Sequence, residues 1–367
     1  MIKIKSPGRI CLFGEHQDYL SYPVISMAIS KYIYLEAKKI NEKKFLVNLP
    51  DVHQKLEIKL INKEQEYSTN RDYLKSGFNQ FLRSGIKFDN GYDIIIFGDI
   101  PINAGVASSS ALVMAWLYFL NLISNQRFDL YQLALMGYHS EVTEFNEGGG
   151  MMDHYTAAYG NLLYLNPSVP NPELINYNIT LEGFVLGNSM EKKNTVDDLI
   201  KVKEASLISI KLMKELMPNF NQFQTKLEDI DPYLPNLNKE YQKKIKGILI
   251  NRDLTIQAKS LIDNNLKILN RKNDFRKVYH FYKKLGILLE NHQKQLRDNI
   301  GISTDKIDKI LSNCKDIGAY GGKINGSGFG GTMFALYPRN QEKLKNAIED
   351  AKGVAYIIET SKGADTY

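Results

Sequence analysis

The sequence predicts an α+β protein, strand-rich in its first half and helix-rich in its second, and three observations carry that prediction. β-Branched and aromatic runs recur through the first 170 residues. Lysine, leucine and isoleucine then recur at helical spacing from about residue 197 to 300, and strand-like runs return near the end. No βαβ period repeats.

Taken in order, Met1-Ile2-Lys3-Ile4-Lys5 alternates apolar and basic residues like a first strand and lacks the apolar core of a signal peptide. Residues 32–35, 56–61 and 92–97 read as strands, the second by its period-two alternation. Residues 112–122 and 130–145 read as helices packed on such a sheet. The apolar stretch 111–123 is 13 residues long and contains Asn121. A membrane span needs roughly 20 residues, so this is a buried helix. Pro167, Pro170 and Pro172 mark a hinge in the 165–185 region, which divides the chain into domains 1–175 and 176–367. Beyond it, Leu199-Ile200, Val202, Leu207-Ile208, Ile210, Leu212-Met213 and Leu216 keep helical spacing, and Pro218, Pro232 and Pro235 punctuate the helices. Residues 332–337 and 354–358 close the pattern as strands.

Composition narrows the function. Of 367 residues 43% are apolar and 24% charged, a globular average. Forty-seven basic against 41 acidic residues leave +6, with no block of five like charges. That disfavours nucleic acid and membrane surfaces and leaves an anionic small substrate open. Two distant cysteines, Cys11 and Cys314, suit a reducing compartment and form no metal-ligand spacing. A cytoplasmic protein is expected, and the sequon Asn178-Ile179-Thr180 is then incidental.

Three segments stand out. Residues 6–19 gather Arg9, Glu15, His16, Asp18 and two glycines among apolar neighbours. Glu15, His16 and Asp18 in one turn can converge on a polyhydroxylated ligand or, as His and carboxylates, on a metal; a solvated surface turn is the plain alternative. The second segment, residues 98–112, sets Gly105, Val106, Ala107, Ser108, Ser109 and Ser110 between a strand and the apolar helix. Small residues and a helix N-terminus there suit an anion, and serines add hydroxyls; a simple serine cap explains one serine but not the run. The third puts six glycines in the eleven positions 321–331, a loop able to wrap a ligand with its backbone or merely a tight β-turn. It is no P-loop, because Lys323 is followed by Ile324. Asn251-Arg252-Asp253-Leu254 and Asp274-Phe275-Arg276 lack the residues that would make them protein-kinase motifs.

Together and in this order, the three segments resemble the signature of the GHMP small-molecule kinases, which include galactokinase, homoserine kinase and mevalonate kinase. Pro7-Gly8-Arg9 and Gly14-Glu15-His16-Gln17-Asp18-Tyr19 are most similar to the galactokinase pattern, whereas mevalonate kinases share Gly-Glu-His without the Asp-Tyr. The likeness extends through Asp72-Tyr73-Leu74-Lys75, Met152-Asp153, Asn188-Ser189 and the stretch from His292 to Ser303, and so spans residues 5 to about 337.

The resemblance implies a two-lobed GHMP kinase fold, with a ribosomal protein S5 domain 2-like N-terminal lobe, an α/β C-terminal lobe and the active site in the cleft between them. It implies ATP and Mg²⁺ as cofactors, a sugar as the small-molecule partner, and a monomer or weak dimer. The activity implied is phosphorylation of an anomeric hydroxyl, foremost galactose to galactose 1-phosphate. A different sugar, a uronic acid or a mevalonate-like alcohol is the alternative acceptor, and a non-catalytic sugar and nucleotide sensor the alternative of another class.

By position, Asp153 matches the catalytic aspartate and Arg9 the arginine beside it. Glu141 matches the magnesium carboxylate, acting with Ser110, and Ser109 is the next serine in line. Glu15, His16, Asp18 and Gly150 match sugar contacts; Tyr73, Gly105, Ala107, Ser108, Ser109, Ser110, Gly326, Ser327 and Gly328 match ATP contacts. The chemistry agrees: a carboxylate about 3 Å from a hydroxyl can take its proton during attack, and a neighbouring arginine keeps that carboxylate ionised. A helix cap is the plain alternative for Asp153. Three departures stand against the pattern: Gln17 in place of threonine, Asn70 in place of a tryptophan, and Lys192-Lys193 where a tyrosine-bearing stretch belongs. The lysines are either solvated or meet a substrate carboxylate.

Overall fold

The computed structural model describes every residue except 62, 102–103, 126, 168–171, 192–194 and 272–273, and only the backbone of 195–198. Pro170, Ile102-Asn103 and the Lys192-Lys193 pair therefore lie outside the described residues.

The chain opens with β1 (Ile2–Phe13), which continues well beyond the first five residues. It pairs antiparallel with β2 (Val24–Ile40), a strand of 17 residues. β3 (Lys44–Leu49) and β4 (Gln54–Lys59) form a hairpin, α1 (Tyr73–Arg83) follows, and β5 (Gly91–Gly98) slots between β2 and β3. Only the β3–β5 pairing in this sheet is parallel. α2 (Ser108–Ile123), α3 (Leu130–Tyr138) and α4 (Met152–Tyr159) come next, then β6 (Leu162–Asn166) and β7 (Glu173–Tyr177). The long β2 hands its first residues to β6 and its last to β5, which splits the sheet into two branches. The boundary expected after residue 175 falls inside β7.

α2 anchors this lobe. Val113, Met114, Trp116, Leu117, Phe119 and Leu120 are all 0% exposed, each worth roughly 1.5–3 kcal/mol of burial. The Trp116 indole N–H finds the Leu74 carbonyl at 2.8 Å, so even its polar edge is satisfied.

The second half begins with β8 (Phe184–Asn188), followed by the long helices α5 (Thr195–Leu216), α6 (Lys239–Arg271) and α7 (Phe275–Gln295), and then α8 (Asp305–Asp316). β9 (Gly321–Asn325), β10 (Thr332–Leu336), α9 (Gln341–Asp350) and β11 (Val354–Ile358) complete a four-stranded antiparallel sheet ordered β11-β8-β10-β9. The chain then crosses back, and β12 (Asp365–Thr366) joins the outer edge of β1. β12 covers that edge only at Ile4 and Lys5. Pro7 is thus tolerated inside β1, because its missing N–H strands no partner there.

Three apolar clusters hold the molecule. One lies between the first sheet and α1, α2 and α4, and another packs the second sheet against α5, α6, α8 and α9. The middle one joins Ile10, Leu12 and Met27 of the first sheet to Phe184 and Phe334 of the second and to Ile262 and Leu285 of α6 and α7. The lobes share a core. No helix among the described residues is long and apolar enough to cross a membrane, and both cysteines are buried and free of any disulfide.

Candidate active site

A cavity of about 400 Å³ opens where the three motif segments meet. Arg9, Glu15, His16, Asp18, Tyr73, Gly105, Ala107, Ser108, Ser109, Ser110, Glu141, Gly150, Asp153, Gly326 and Ser327 all line it. Gly328 does not; its positive φ of 82° lets the loop turn tightly against Ile302 behind the wall.

The first segment becomes a buried turn at the end of β1. Gly14 has φ +87°, and a Cβ there would strike the Pro23 carbonyl and Val24. The turn is not solvated: Glu15 is 3% and His16 8% exposed. Glu15 Oε2 pairs with Lys323 Nζ at 2.8 Å. His16 is fixed at both nitrogens, by the Tyr19 hydroxyl at 2.8 Å and the Ser327 carbonyl at 3.1 Å. Burial pushes its pKa down to about 4, so the ring is neutral and its Nε2–H donates to the carbonyl. Asp18 accepts from the amides of Tyr19 at 2.9 Å and Met152 at 3.3 Å. Burial first, and the nearby charge of Asp153 second, raise its pKa to about 6. A Cβ on Gly150 would lie 1.9 Å from Asp18 Oδ2, so only glycine lets that carboxylate occupy its place.

Asp153 stands in the first turn of α4, whose N-cap is Met151 without a side-chain bond, so Asp153 does not cap the helix. Arg9 grips it like a fork: Nε donates to Oδ1 at 2.7 Å and Nη2 to Oδ2 at 2.9 Å. Such bidentate pairing fixes orientation as well as charge. Burial opposes the charge on Arg9, but Asp153 and Glu15 outweigh it and hold the guanidinium firmly protonated. Its third nitrogen donates to the Gly105 carbonyl at 2.6 Å, linking the first segment to the second.

The second segment starts α2 at Ser108 after Ala107, which adopts φ 59° and offers no side-chain cap. The serines belong to the first turn, where backbone amides lack intrahelical partners. Ser110 donates to Glu141 Oε2 at 2.8 Å, and His154 Nε2 reaches the same oxygen at 2.7 Å. Burial would raise the Glu141 pKa, but the His154 hydrogen bond and charge, with bonds from Ser109 and Ser110, hold it below the ordinary range. Glu141 lies in a single π-helical turn, His139–Thr143, a wider turn of the kind found at functional sites. Tyr73 donates to Glu147 Oε1 at 2.5 Å on the far wall.

The third segment is the β9–β10 hairpin loop, and it is more than a turn. Gly326, at φ +79°, packs its backbone on Gly105, where a Cβ would meet the carbonyl at 2.5 Å. Lys323, Asn325 and His154 were not expected as site residues. Lys323 and Asn325 share one face of a strand, and their partners lie 220 to 314 positions away, too far off to be read from the sequence; His154 follows Asp153 directly and reaches Glu141 13 positions back.

The chain is similar to known proteins. The description GHMP kinases N terminal domain fits residues 72–161, GHMP kinases C terminal fits 274–355, and the galactokinase galactose-binding signature fits 2–39. A galactokinase of Thermotoga neapolitana is 24% identical over 99% of this chain and 99% of its own. A mevalonate kinase of Pyrococcus furiosus is 26% identical over 97% of this chain and 95% of its own. The structure of Lactococcus lactis galactokinase complexed with galactose superposes with a TM-score of 0.84 at 19% identity, covering 100% of this chain and 95% of that one.

Proposed function

From the premise that this chain belongs to the GHMP kinases, we propose that it transfers the γ-phosphoryl group of ATP to the anomeric hydroxyl of a sugar, with galactose as the preferred acceptor. The observation that carries the reading is the Arg9–Asp153 fork, set in one cleft with the Glu15-His16-Gln17-Asp18 turn and the serine-rich start of α2. The galactose-binding signature over residues 2–39 supports the choice of sugar.

Within this reading Asp153 accepts the proton of the attacking hydroxyl as the new oxygen–phosphorus bond forms and the bond to the bridging oxygen of ADP breaks. Arg9 keeps the carboxylate ionised and aimed. Glu15, His16 and Asp18 hold the sugar, and the amides of Ser108–Ser110 with the backbone of Gly105 and Gly326 hold the phosphates. Ser110 and Glu141 are the groups that would hold magnesium. They fit it: two hard oxygen donors 2.8 Å apart leave the remaining positions to phosphate and water. Magnesium bound there supplies neutralisation of phosphate charge. The sugar and phosphate motifs belong to the first lobe, which runs through β7 at Tyr177, and the third loop to the second.

One assay tests the reading: ATP consumption against galactose, other hexoses, uronic acids and mevalonate. Galactose is expected to give the highest kcat/KM and a 1-phosphate product. Turnover of mevalonate with no sugar turned over overturns the sugar reading. Sugar binding without phosphoryl transfer to any acceptor would favour a non-catalytic sensor.

A further inference from the structure

Two side chains of β9 reach out of their own sheet and take hold of β1. Lys323 and Asn325 stand two positions apart and so share a face of the strand. The Cys11 amide donates to Asn325 Oδ1 at 2.8 Å, and Lys323 Nζ donates to the Cys11 carbonyl at 2.8 Å. The same ammonium lies 2.8 Å from Glu15 Oε2, and the two side chains are 0% and 3% exposed. Phe334 closes over it, the ring centre 5.2 Å from Nζ. Although it belongs to the glycine-rich segment, Lys323 is enclosed and reaches no cleft-bound phosphate; it does not line the cavity.

Glu15 does line the cavity, and its Oε1 takes no hydrogen bond among the described residues. An ionised carboxylate this buried needs a counter-charge and bonded lone pairs. Lys323 supplies the charge and occupies one oxygen.

Resting on the sugar-kinase reading above, we propose that Lys323 is a positioning residue for the acceptor. It pins Oε2 of Glu15 so that Oε1 is presented to one sugar hydroxyl. A sugar that lacks that hydroxyl, or turns it away, leaves the oxygen unpaired, so the pair acts on acceptor choice and not on phosphoryl transfer. Asn325 adds the second anchor, since its Nδ2 donates at 2.8 Å to the Gly105 carbonyl that also receives Arg9.

The test uses Lys323→Met, Lys323→Arg, Glu15→Gln and the Lys323→Met/Glu15→Gln double variant, with galactose and ATP affinities and kcat measured on each. A hydrogen bond to a charged group is worth about 10- to 100-fold in affinity, so Lys323→Met is expected to raise galactose Kd and KM by that order. ATP affinity and kcat should stay within about twofold, and Lys323→Arg should recover most of the loss because it keeps the charge. The double variant should bind no worse than Glu15→Gln. Unchanged galactose affinity in Lys323→Met, or losses that simply add in the double variant, overturns the proposal and leaves Lys323 a structural brace. If Lys323→Met does not fold, normal galactose affinity in Glu15→Gln overturns it equally. Wild-type protein that binds no sugar overturns the sugar-kinase reading itself, a separate result.

Discussion

Asp153 is held by both carboxylate oxygens, yet its side chain remains 26% exposed against 6% for Arg9. That is the arrangement of a group kept oriented while facing a reactant. Asp153→Asn preserves the shape and removes the proton acceptor, so turnover per folded molecule should fall by roughly 10²–10⁴-fold with sugar affinity little changed, while loss of the counter-charge to the buried Arg9 should also lower the melting temperature. A variant that loses stability but keeps full turnover would remove the catalytic role. Asp18 makes a different prediction because its pKa is raised to about 6. In its proposed role an ionised Asp18 accepts a sugar hydroxyl, whereas a protonated one becomes a donor. Galactose affinity should therefore weaken as pH falls through about 6, and Asp18→Asn should abolish that step. The stability sign is opposite. A carboxyl whose folded pKa lies above its unfolded value gives stability that is lost as pH rises. Asp18→Asn should therefore melt higher than wild type at pH 7, with the gap closing toward about pH 4, near the ordinary carboxylate value. Thermal melts across that range check it.

The elements that deliver these residues were unequally legible. α2 and β10 lie where their apolar runs put them because each buries a nearly continuous set, and β5 and β11 do so although only some residues of their runs turn inward. The sequence predicts a short β1, since Pro7 and Gly8 punctuate most strands; the structure extends it because β12 pairs with its outer edge only at Ile4 and Lys5, so no strand needs the amide that Pro7 lacks. The helix expected over 130–145 is α3 to Tyr138 and then the π turn that carries Glu141, a change of winding that apolar spacing does not register. Arg9 and Asp153 are 144 positions apart, and Glu15 and Lys323 are 308. Residue types flagged the first pair through a family pattern, and nothing local flagged the second. The lead-in to α4 offers an element-level test. Gly150→Ala places a methyl group 1.9 Å from Asp18 Oδ2, so Asp18 must swing away. Galactose affinity should drop by about tenfold or more, the worth of one well-placed bond to a charged group, with ATP affinity intact. Equal loss of both affinities would point to collapse of the loop instead.

At the scale of the molecule, the two sheets are joined by the middle core and by the returning chain. Besides the β1–β12 ladder, residues 359–367 make five backbone hydrogen bonds to the first lobe, at Lys3, Ala28, Ser30, Ala157 and Asn161. At about 0.5–1.5 kcal/mol net for each bond, ending the chain after Ile358 should lower unfolding stability by several kcal/mol. Denaturant titration followed at Trp116, which is buried in the first lobe, should report the loss; an unchanged midpoint would show that the returning segment carries no load. This stitching also sets an order of events during synthesis. Translation proceeds at about 5–20 residues per second, so roughly 15–60 s separate the emergence of Glu15 from that of Lys323. Throughout that interval the nascent first lobe holds a carboxylate destined for burial without the lysine that pairs with it, and a strand edge without β12. A ribosome stalled midway would display a lobe with its apolar layer formed and its acceptor turn unset. On the proposed reading, competence to bind sugar is expected only once the late-made hairpin has emerged and docked.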